Sequence, residues 1–242
     1  MTDALSPSSP AGLGPLGTGA MFDRIAHRYD LLNRVLSLGL DHGWRRRASA
    51  ALGLAPEEHG EILDLATGTG DLAIAVARMH PSARVLGTDP SPNMLAIGQT
   101  KIEALGGRVR LTTGDAQAIE AADGAFAGVT IAFGIRNVPD RDRALREMTR
   151  VCRSGGRVVV LELGEPNVGI LGPLARFHVR HVVPRIGALL SGAREYRYLQ
   201  TSIAAFPPAP EFARKMEGAG LTSVGFTPLT FGACTLYRGT KP

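Results

Sequence analysis

The residues best placed for chemistry in this chain are acidic and stand beside glycines. The stretch Asp64-Leu65-Ala66-Thr67-Gly68-Thr69-Gly70-Asp71 follows the apolar pair Ile62-Leu63 and opens into Leu72-Ala73-Ile74-Ala75-Val76-Ala77. A further carboxylate, Asp89, closes Val85-Leu86-Gly87-Thr88, and Gly114-Asp115-Ala116 follows Arg108-Val109-Arg110-Leu111-Thr112. A strand, a glycine turn, a helix and a second strand ending in an acid form a unit that binds a ribose and a purine at the carboxyl edge of a parallel sheet. Glycine at 68 lets the backbone approach a ligand where a Cβ would collide with it. Farther along, Arg136-Asn137 follows Phe133-Gly134-Ile135 at the end of another strand pattern. A guanidinium and an amide there can meet charge that develops on an oxygen during a reaction.

Two kinds of ligand compete for the glycine loop. Gly68-x-Gly70-x-x-Ala73 satisfies the nicotinamide dinucleotide pattern, with an acid downstream. Three features favour S-adenosylmethionine. Asp64 can organise the turn and face an ammonium group. Asp71, at the start of the helix, would repel a pyrophosphate by on the order of 4 kcal/mol at ~4 Å and a dielectric of ~20, yet it suits a sulfonium. The plainer reading of Asp71, a helix N-cap, is compatible with either ligand. Asp115 can accept from the adenine amino group, with the Ala116 N–H on a ring nitrogen. Its plainer reading is a solvated turn. Thr69 and Gly68 complete the loop, and Asp89 is expected to take the ribose hydroxyls.

From residue 61 the chain alternates strand and helix. Strands are expected at 61–66, 84–89, 108–112, 127–133, 156–163, 222–228 and 232–239, and helices at about 71–79, 91–104, 139–152 and 209–219. That order gives a doubly wound α/β sheet. The short turn between the last two strands implies an antiparallel hairpin, as in a class I methyltransferase. At 242 residues, 44% hydrophobic and 20% charged, the chain makes one domain with a full core. Residues 1–20, rich in Pro, Gly, Ser and Thr, are expected to be disordered, and residues 21–242 to form the domain. Cys152 and Cys234 are expected to be reduced and buried. His178 and His181 lack a third ligand, so no metal site is expected.

Two segments stand outside the repeat, at 21–58 and 166–208, and read as helical covers. Residues 21–47 hold six arginines against three aspartates, and residues 170–200 hold five arginines against one glutamate. Together they exceed the +5 of the whole chain. Their arginines are interleaved with Phe22, Leu31, Leu38, Leu171 and Phe177, which fits an active-site cover resting on an anionic membrane. A nucleic-acid surface is the other reading of such charge. However, the chain lacks both the Asn/Asp-Pro-Pro-aromatic tetrapeptide of amino-group methylases and a Pro-Cys nucleophile.

Longer blocks carry a family resemblance over residues 21–241. They are Met21-Phe22-Asp23-Arg24-Ile25-Ala26-His27-Arg28-Tyr29-Asp30 with Trp44-Arg45-Arg46, then Phe133-Gly134-Ile135-Arg136-Asn137, Leu161-Glu162, and Tyr196-x-Tyr198-Leu199-x-x-Ser202-Ile203-x-x-Phe206-Pro207. The chain resembles the ubiquinone/menaquinone biosynthesis C-methyltransferases. It departs from their pattern at Asp41, where a histidine is usual, and at Ala132, where a serine is common. The resemblance implies S-adenosyl-L-methionine as cofactor and C-methylation of a polyprenylated quinol, demethylmenaquinol first and a ubiquinol precursor second. It further implies a cytoplasmic protein held peripherally at the inner membrane face, with no nucleic acid and with a homo-oligomer allowed. Arg136 would stabilise a phenolate or organise a water, and Asn137 would bond a ring oxygen. His27, Tyr29 and Asp30 could reach the acceptor. Tyr196, Tyr198 and Trp44 divide between that role and packing.

Overall fold

The computed structural model describes residues 22–23, 26–27, 30–31, 33–34, 37–55, 57–164 and 193–242, the last range without the side chains of 193–196. Seven strands form one sheet: β1 (Glu61–Leu65), β2 (Arg84–Asp89), β3 (Val109–Thr113), β4 (Phe126–Ala132), β5 (Cys152–Leu163), β6 (Thr222–Leu229) and β7 (Cys234–Thr240). Their order is β3-β2-β1-β4-β5-β7-β6. The first five pair in parallel, and β7 runs antiparallel to both neighbours. The expected α/β sheet with a terminal hairpin is therefore observed. Helices are α1 (Asp41–Ala51), α2 (Asp71–Met79), α3 (Pro92–Ile102), α4 (Arg141–Val151), α5 (Ala193–Ala204) and α6 (Ala209–Gly218).

The two faces of the sheet follow from the period-two alternation of its strands. On β5, Val159 and Leu161 join a core with Trp44, Leu72, Val76 and Leu111, against α1, α2 and α3. Val158 and Val160 point the other way, into a core with Leu145, Met148, Phe212 and Met216 from α4 and α6. A one-residue slip of β5 would exchange the two sets, so the register is firmly specified. Helix starts are equally local. Ser91 caps α3 by accepting from the Met94 N–H, with Pro92 in the first turn, and Asp140 caps α4 by accepting from the Arg143 N–H.

Most boundaries lie within two residues of expectation, and two of the differences have a clear physical cause. Strand β5 begins at Cys152 because Cys152 pairs with Phe126 across a bulge before Gly128–Arg157, so Gly155-Gly156 lies within the strand. The β6–β7 link is a 3-10 turn over Thr230–Gly232, which delays β7 to Cys234. Cys152 and Cys234 are free and buried, as expected. Residues 1–20, Tyr29, His178, His181 and the side chain of Tyr196 lie outside the described residues, as does most of the second cover apart from α5.

Candidate active site

The carboxyl edge of the parallel strands gathers the expected residues. The chain leaves β1 through Ala66, whose φ is 48°, and enters α2 at Gly70, whose φ of 83° favours glycine. The Thr67 N–H bonds the Thr88 carbonyl at 3.0 Å, which ties this turn to β2. Beside it, Asp89 accepts from the Gly68 N–H and from the Ser91 N–H, each at 2.8 Å. One carboxylate thus fixes the glycine loop and the start of α3, with its remaining lone pairs left for ligand donors. Burial pushes its carboxyl above the usual range, with the nearby charge of Asp23 adding to that and the two backbone bonds opposing it.

Asp64 is deeper, at 1% exposure. It accepts from the Thr67 hydroxyl at 2.6 Å and from the Thr130 hydroxyl at 2.7 Å. Burial pushes its carboxyl up to about 6, against those two bonds and the more distant charge of Arg45. Hydroxyl dipoles replace only part of the water it has lost. Asp64 lines a small cavity of about 20 Å³ with Arg45, Thr67, Gly68, Thr69 and Asp71. The cavity holds one cation and two carboxylates, which is the charge pattern of a receptor for an amino acid's ammonium and carboxylate.

That small cavity shares Ala66, Gly68 and Ala132 with a larger cleft of about 220 Å³. Met94, Phe133, Val138 and Phe22 give the cleft apolar walls, and Asp89, Asp115, Ala116 and Asn137 supply its polar atoms. Asp115 is exposed at the rim and accepts from the Gln117 backbone N–H at 2.9 Å. An apolar slot with an acid at its inner end and an acid and an N–H at its rim fits a flat base on a diol-bearing sugar.

Asp71 and Thr69 are more engaged than the sequence implied. Asp71 is the first residue of α2 and makes no cap bond, so the N-cap reading does not hold. It pairs with Lys101 at 2.8 Å and lies 3.8 Å from Arg45. Lys101 and Arg45 also serve Asp30 and Asp41, so the two cations offset the charge of Asp71 only in part, and the argument from its repulsion of a phosphate is weakened. The Thr69 hydroxyl donates to Asp30 at 2.7 Å and accepts from the Lys101 ammonium at 2.8 Å. Lys101 also meets the second oxygen of Asp30 at 2.5 Å. Asp30 therefore latches the N-terminal helical residues to the glycine loop, and Asp23 does the same at α3 by accepting from the Ser91 hydroxyl at 2.5 Å. Nothing in the sequence pointed to Lys101, which sits in the last turn of an ordinary helix.

At the end of β4 the pair divides its labour. Asn137 faces the cleft, whereas Arg136 is buried behind it. Arg136 Nη1 donates to Glu162 Oε1 and to the Phe133 carbonyl, both at 2.6 Å, and its backbone N–H reaches Glu162 Oε2 at 3.1 Å. Its charge is already matched, so the direct contact with a phenolate expected from sequence finds no support in this geometry. The Tyr198 hydroxyl donates to Asn137 Oδ1 at 2.8 Å and Asn137 Nδ2 donates to the Phe133 carbonyl at 3.4 Å, which fixes the amide and leaves the second N–H of its nitrogen for a ligand. Burial holds the Tyr198 hydroxyl above its usual range, against the pull of Arg136 and Arg141. Trp44 is a core residue, edge-on to Phe133 at 6.3 Å, with its N–H on the Thr230 hydroxyl at 2.9 Å. Asp41 is buried in an ion pair with Arg45, so the position where a histidine is usual holds a structural acid. His27 is exposed.

A seven-stranded sheet in this order, with a glycine loop after β1 and an acid at the end of β2, defines a Rossmann-like methyltransferase fold. Solved structures agree. An S-adenosylmethionine-dependent methyltransferase from Thermotoga maritima, described as a possible histamine N-methyltransferase, superposes with a TM-score of 0.63 at 21% identity, covering 92% of this chain and 99% of its own. Phosphoethanolamine N-methyltransferase 2 of Haemonchus contortus, solved with S-adenosyl-L-methionine, gives a TM-score of 0.58 at 15% identity over 79% of this chain and 50% of its own. Within that fold, residues 17–241 match the ubiE/COQ5 methyltransferase family, and the chain belongs to it. Demethylmenaquinone methyltransferase of Thermus thermophilus is 50% identical over 92% of this chain and all of its own length. Ubiquinone/menaquinone biosynthesis C-methyltransferase UbiE of Syntrophotalea carbinolica is 46% identical over 93% of this chain and 94% of its own. Membership in a methyltransferase family sets aside the nicotinamide reading of the glycine loop.

Proposed function

We propose that the protein methylates a ring carbon of a polyprenylated quinol with S-adenosyl-L-methionine, and that its substrate is demethylmenaquinol. One observation carries this reading: the end-to-end similarity, at 50% identity, to a demethylmenaquinone methyltransferase. The cavities fit the cofactor. The adenosine matches the apolar cleft between Asp89 and Asp115, and the charges of Asp64, Asp71 and Arg45 around the small cavity suit the amino-acid end. When bound, S-adenosylmethionine supplies an electrophilic methyl on a positive sulfur, held beside carboxylates that favour that charge.

The residues of the chain then do four things. Asp89, through Gly68 and Ser91, holds the loop that sets the depth of the cofactor. Phe22, Met94 and Phe133 keep water from the reacting centre. Asn137, steered by Tyr198, offers its amide N–H to an oxygen of the acceptor ring. Arg136 holds Asn137 in place from behind, through the 3-10 turn Ile135–Asn137 and Glu162. A quinol hydroxyl with a phenol-like pKa of about 10 must lose its proton to activate the ring carbon, and a donor aimed at the resulting oxyanion lowers that cost. With the cofactor held by Asp64, Asp89 and Asp115, that carbon would take its methyl, and S-adenosylhomocysteine would be the leaving group.

The isoprenoid tail of such a substrate resides in a bilayer. No helix among the described residues is long and apolar enough to cross a membrane. Peripheral contact through the arginine-rich covers is the reading that remains consistent with a membrane-held substrate. The deciding experiment offers extracted demethylated quinols, reduced and oxidised, with labelled cofactor, and follows the products by mass spectrometry. Label in the ring of the reduced menaquinone-series substrate is expected. Label on an oxygen, or none in any quinol, would refute the assignment.

A further inference from the structure

Among the described residues five large apolar side chains stand out from the surface, and three of them come from two adjoining turns. Leu38 is 68% exposed and Leu40 45%, in the turn before α1, and Phe231 is 42% exposed in the β6–β7 turn. The Trp44 N–H joins the turns by its bond to Thr230, and Trp44 is itself bonded through its backbone N–H to the Leu40 carbonyl at 3.1 Å. Both turns lie at the carboxyl edge of the sheet, because antiparallel β7 starts at Cys234 opposite Leu163, the end of β5. The glycine loop and Asn137 share that edge.

Backbone strain sharpens the point. Leu38, Thr230 and Phe231 have φ of 53°, 46° and 57°, in the left-handed region that glycine and asparagine occupy at least cost. Folding alone would favour those residues there, yet two of the three positions present a large apolar side chain to solvent. Such outliers cluster where a surface has another task. The exposed charge along the Leu38–Leu40 stretch of the chain has one sign. Between residues 34 and 47 the only acid is Asp41, which is buried with Arg45, whereas Arg34, Arg46 and Arg47 are exposed. Exposed apolar tips on a segment whose exposed ionised side chains are arginines match a bilayer with anionic headgroups: the tips enter the acyl boundary and the guanidinium groups meet phosphates.

We propose that the Leu38–Leu40 and Phe231 turns are the surface that inserts into the membrane, so that the cofactor edge of the sheet faces the bilayer that holds the tail of the substrate. This rests on the quinol reading above and adds to it the residues that dock. The test is co-sedimentation with vesicles of anionic or neutral phospholipid, at low and high salt, for the parent and a Leu38→Asn/Phe231→Asn double variant. Asparagine tolerates the left-handed backbone, so the melting temperature should hold or rise, and turnover of a short-tailed, water-soluble quinol should be unchanged. Partition onto anionic vesicles should fall by at least about tenfold, because two partly buried apolar groups are lost. The fraction of parent that survives high salt should vanish in the variant. A variant that binds as the parent does would overturn the inserting surface while leaving peripheral contact intact. A parent that never sediments would remove the membrane reading itself. A parent that dimerises in solution while the variant stays monomeric, with neither binding vesicles, would assign this face to a second copy of the chain and overturn the proposal.

Discussion

Two carboxylates lie equally deep at the same edge of the sheet, and their company differs. Glu162 has a guanidinium at 2.6 Å and gives both oxygens to Arg136. Asp64 has two hydroxyls and no cation in direct contact, and burial pushes it up to about 6. A buried acid with its own cation belongs to the scaffold, because its desolvation is offset within the protein. A buried acid that has only dipoles for partners is poised for a cation brought from outside. On the proposed reading, the contrast separates the end of the site that holds its shape from the end that would receive the cofactor's ammonium.

The largest effect should come from breaking the paired site. Arg136→Ala leaves Glu162 buried without a counter-charge and should cost about 3–5 kcal/mol of stability, measured by urea unfolding. An Arg136→Met/Glu162→Met double variant should recover much of that loss. If the single substitution proves harmless, Glu162 is not the scaffold half of the comparison.

Asp64→Asn should move the other way. The folded carboxyl lies near 6 against 3.8 for the ordinary group, so its contribution to stability is present below about pH 4 and lost as pH rises through 6. At pH 7 the ligand-free parent therefore carries a penalty of about 3 kcal/mol that asparagine relieves. Thermal scans at pH 7 should show the variant as the more stable protein, with the gap closing toward pH 4. A destabilised variant would mean that Asp64 already has its partner.

Asp89→Ala should weaken S-adenosylmethionine by roughly 1.5–3 kcal/mol through lost charge-assisted bonds. Because Asp89 also holds Gly68 and Ser91, part of that loss reflects a looser loop. Equal affinity by calorimetry would remove Asp89 from the site. The smallest change is Tyr198→Phe, which frees the Asn137 amide to rotate. It should cost about 1 kcal/mol in kcat/KM with cofactor affinity unchanged. A loss confined to cofactor binding would place Tyr198 elsewhere in the reaction.

Most of the frame was legible in the chain. The strand–glycine–helix signal at 61–79 and the acid at 89 depend on local periodicity and turn chemistry, which sequence records directly. Pairs that form across the fold were not legible. Arg136 and Glu162 stand on different strands' ends, Asp30 and Lys101 on different helices, and Trp44 finds Thr230 only once β6 and β7 have paired. Arg136 read as a catalytic cation because sequence shows a charge without showing what neutralises it. The same blindness made Asp71 look bare, when it shares Lys101 with Asp30 and Arg45 with Asp41.

The claim at the centre is that Asp64 waits, unpaired, for the ammonium of the cofactor. Calorimetry with S-adenosylhomocysteine between pH 5 and 8 tests it directly, in the parent and in Asp64→Asn. That ammonium stays charged over the range, so binding must ionise Asp64. The parent should lose about tenfold in affinity between pH 7 and pH 5, as protons come to compete for a carboxylate near 6. The variant should bind more weakly at pH 7 and show a flatter profile. Parallel profiles in the two proteins would contradict the account.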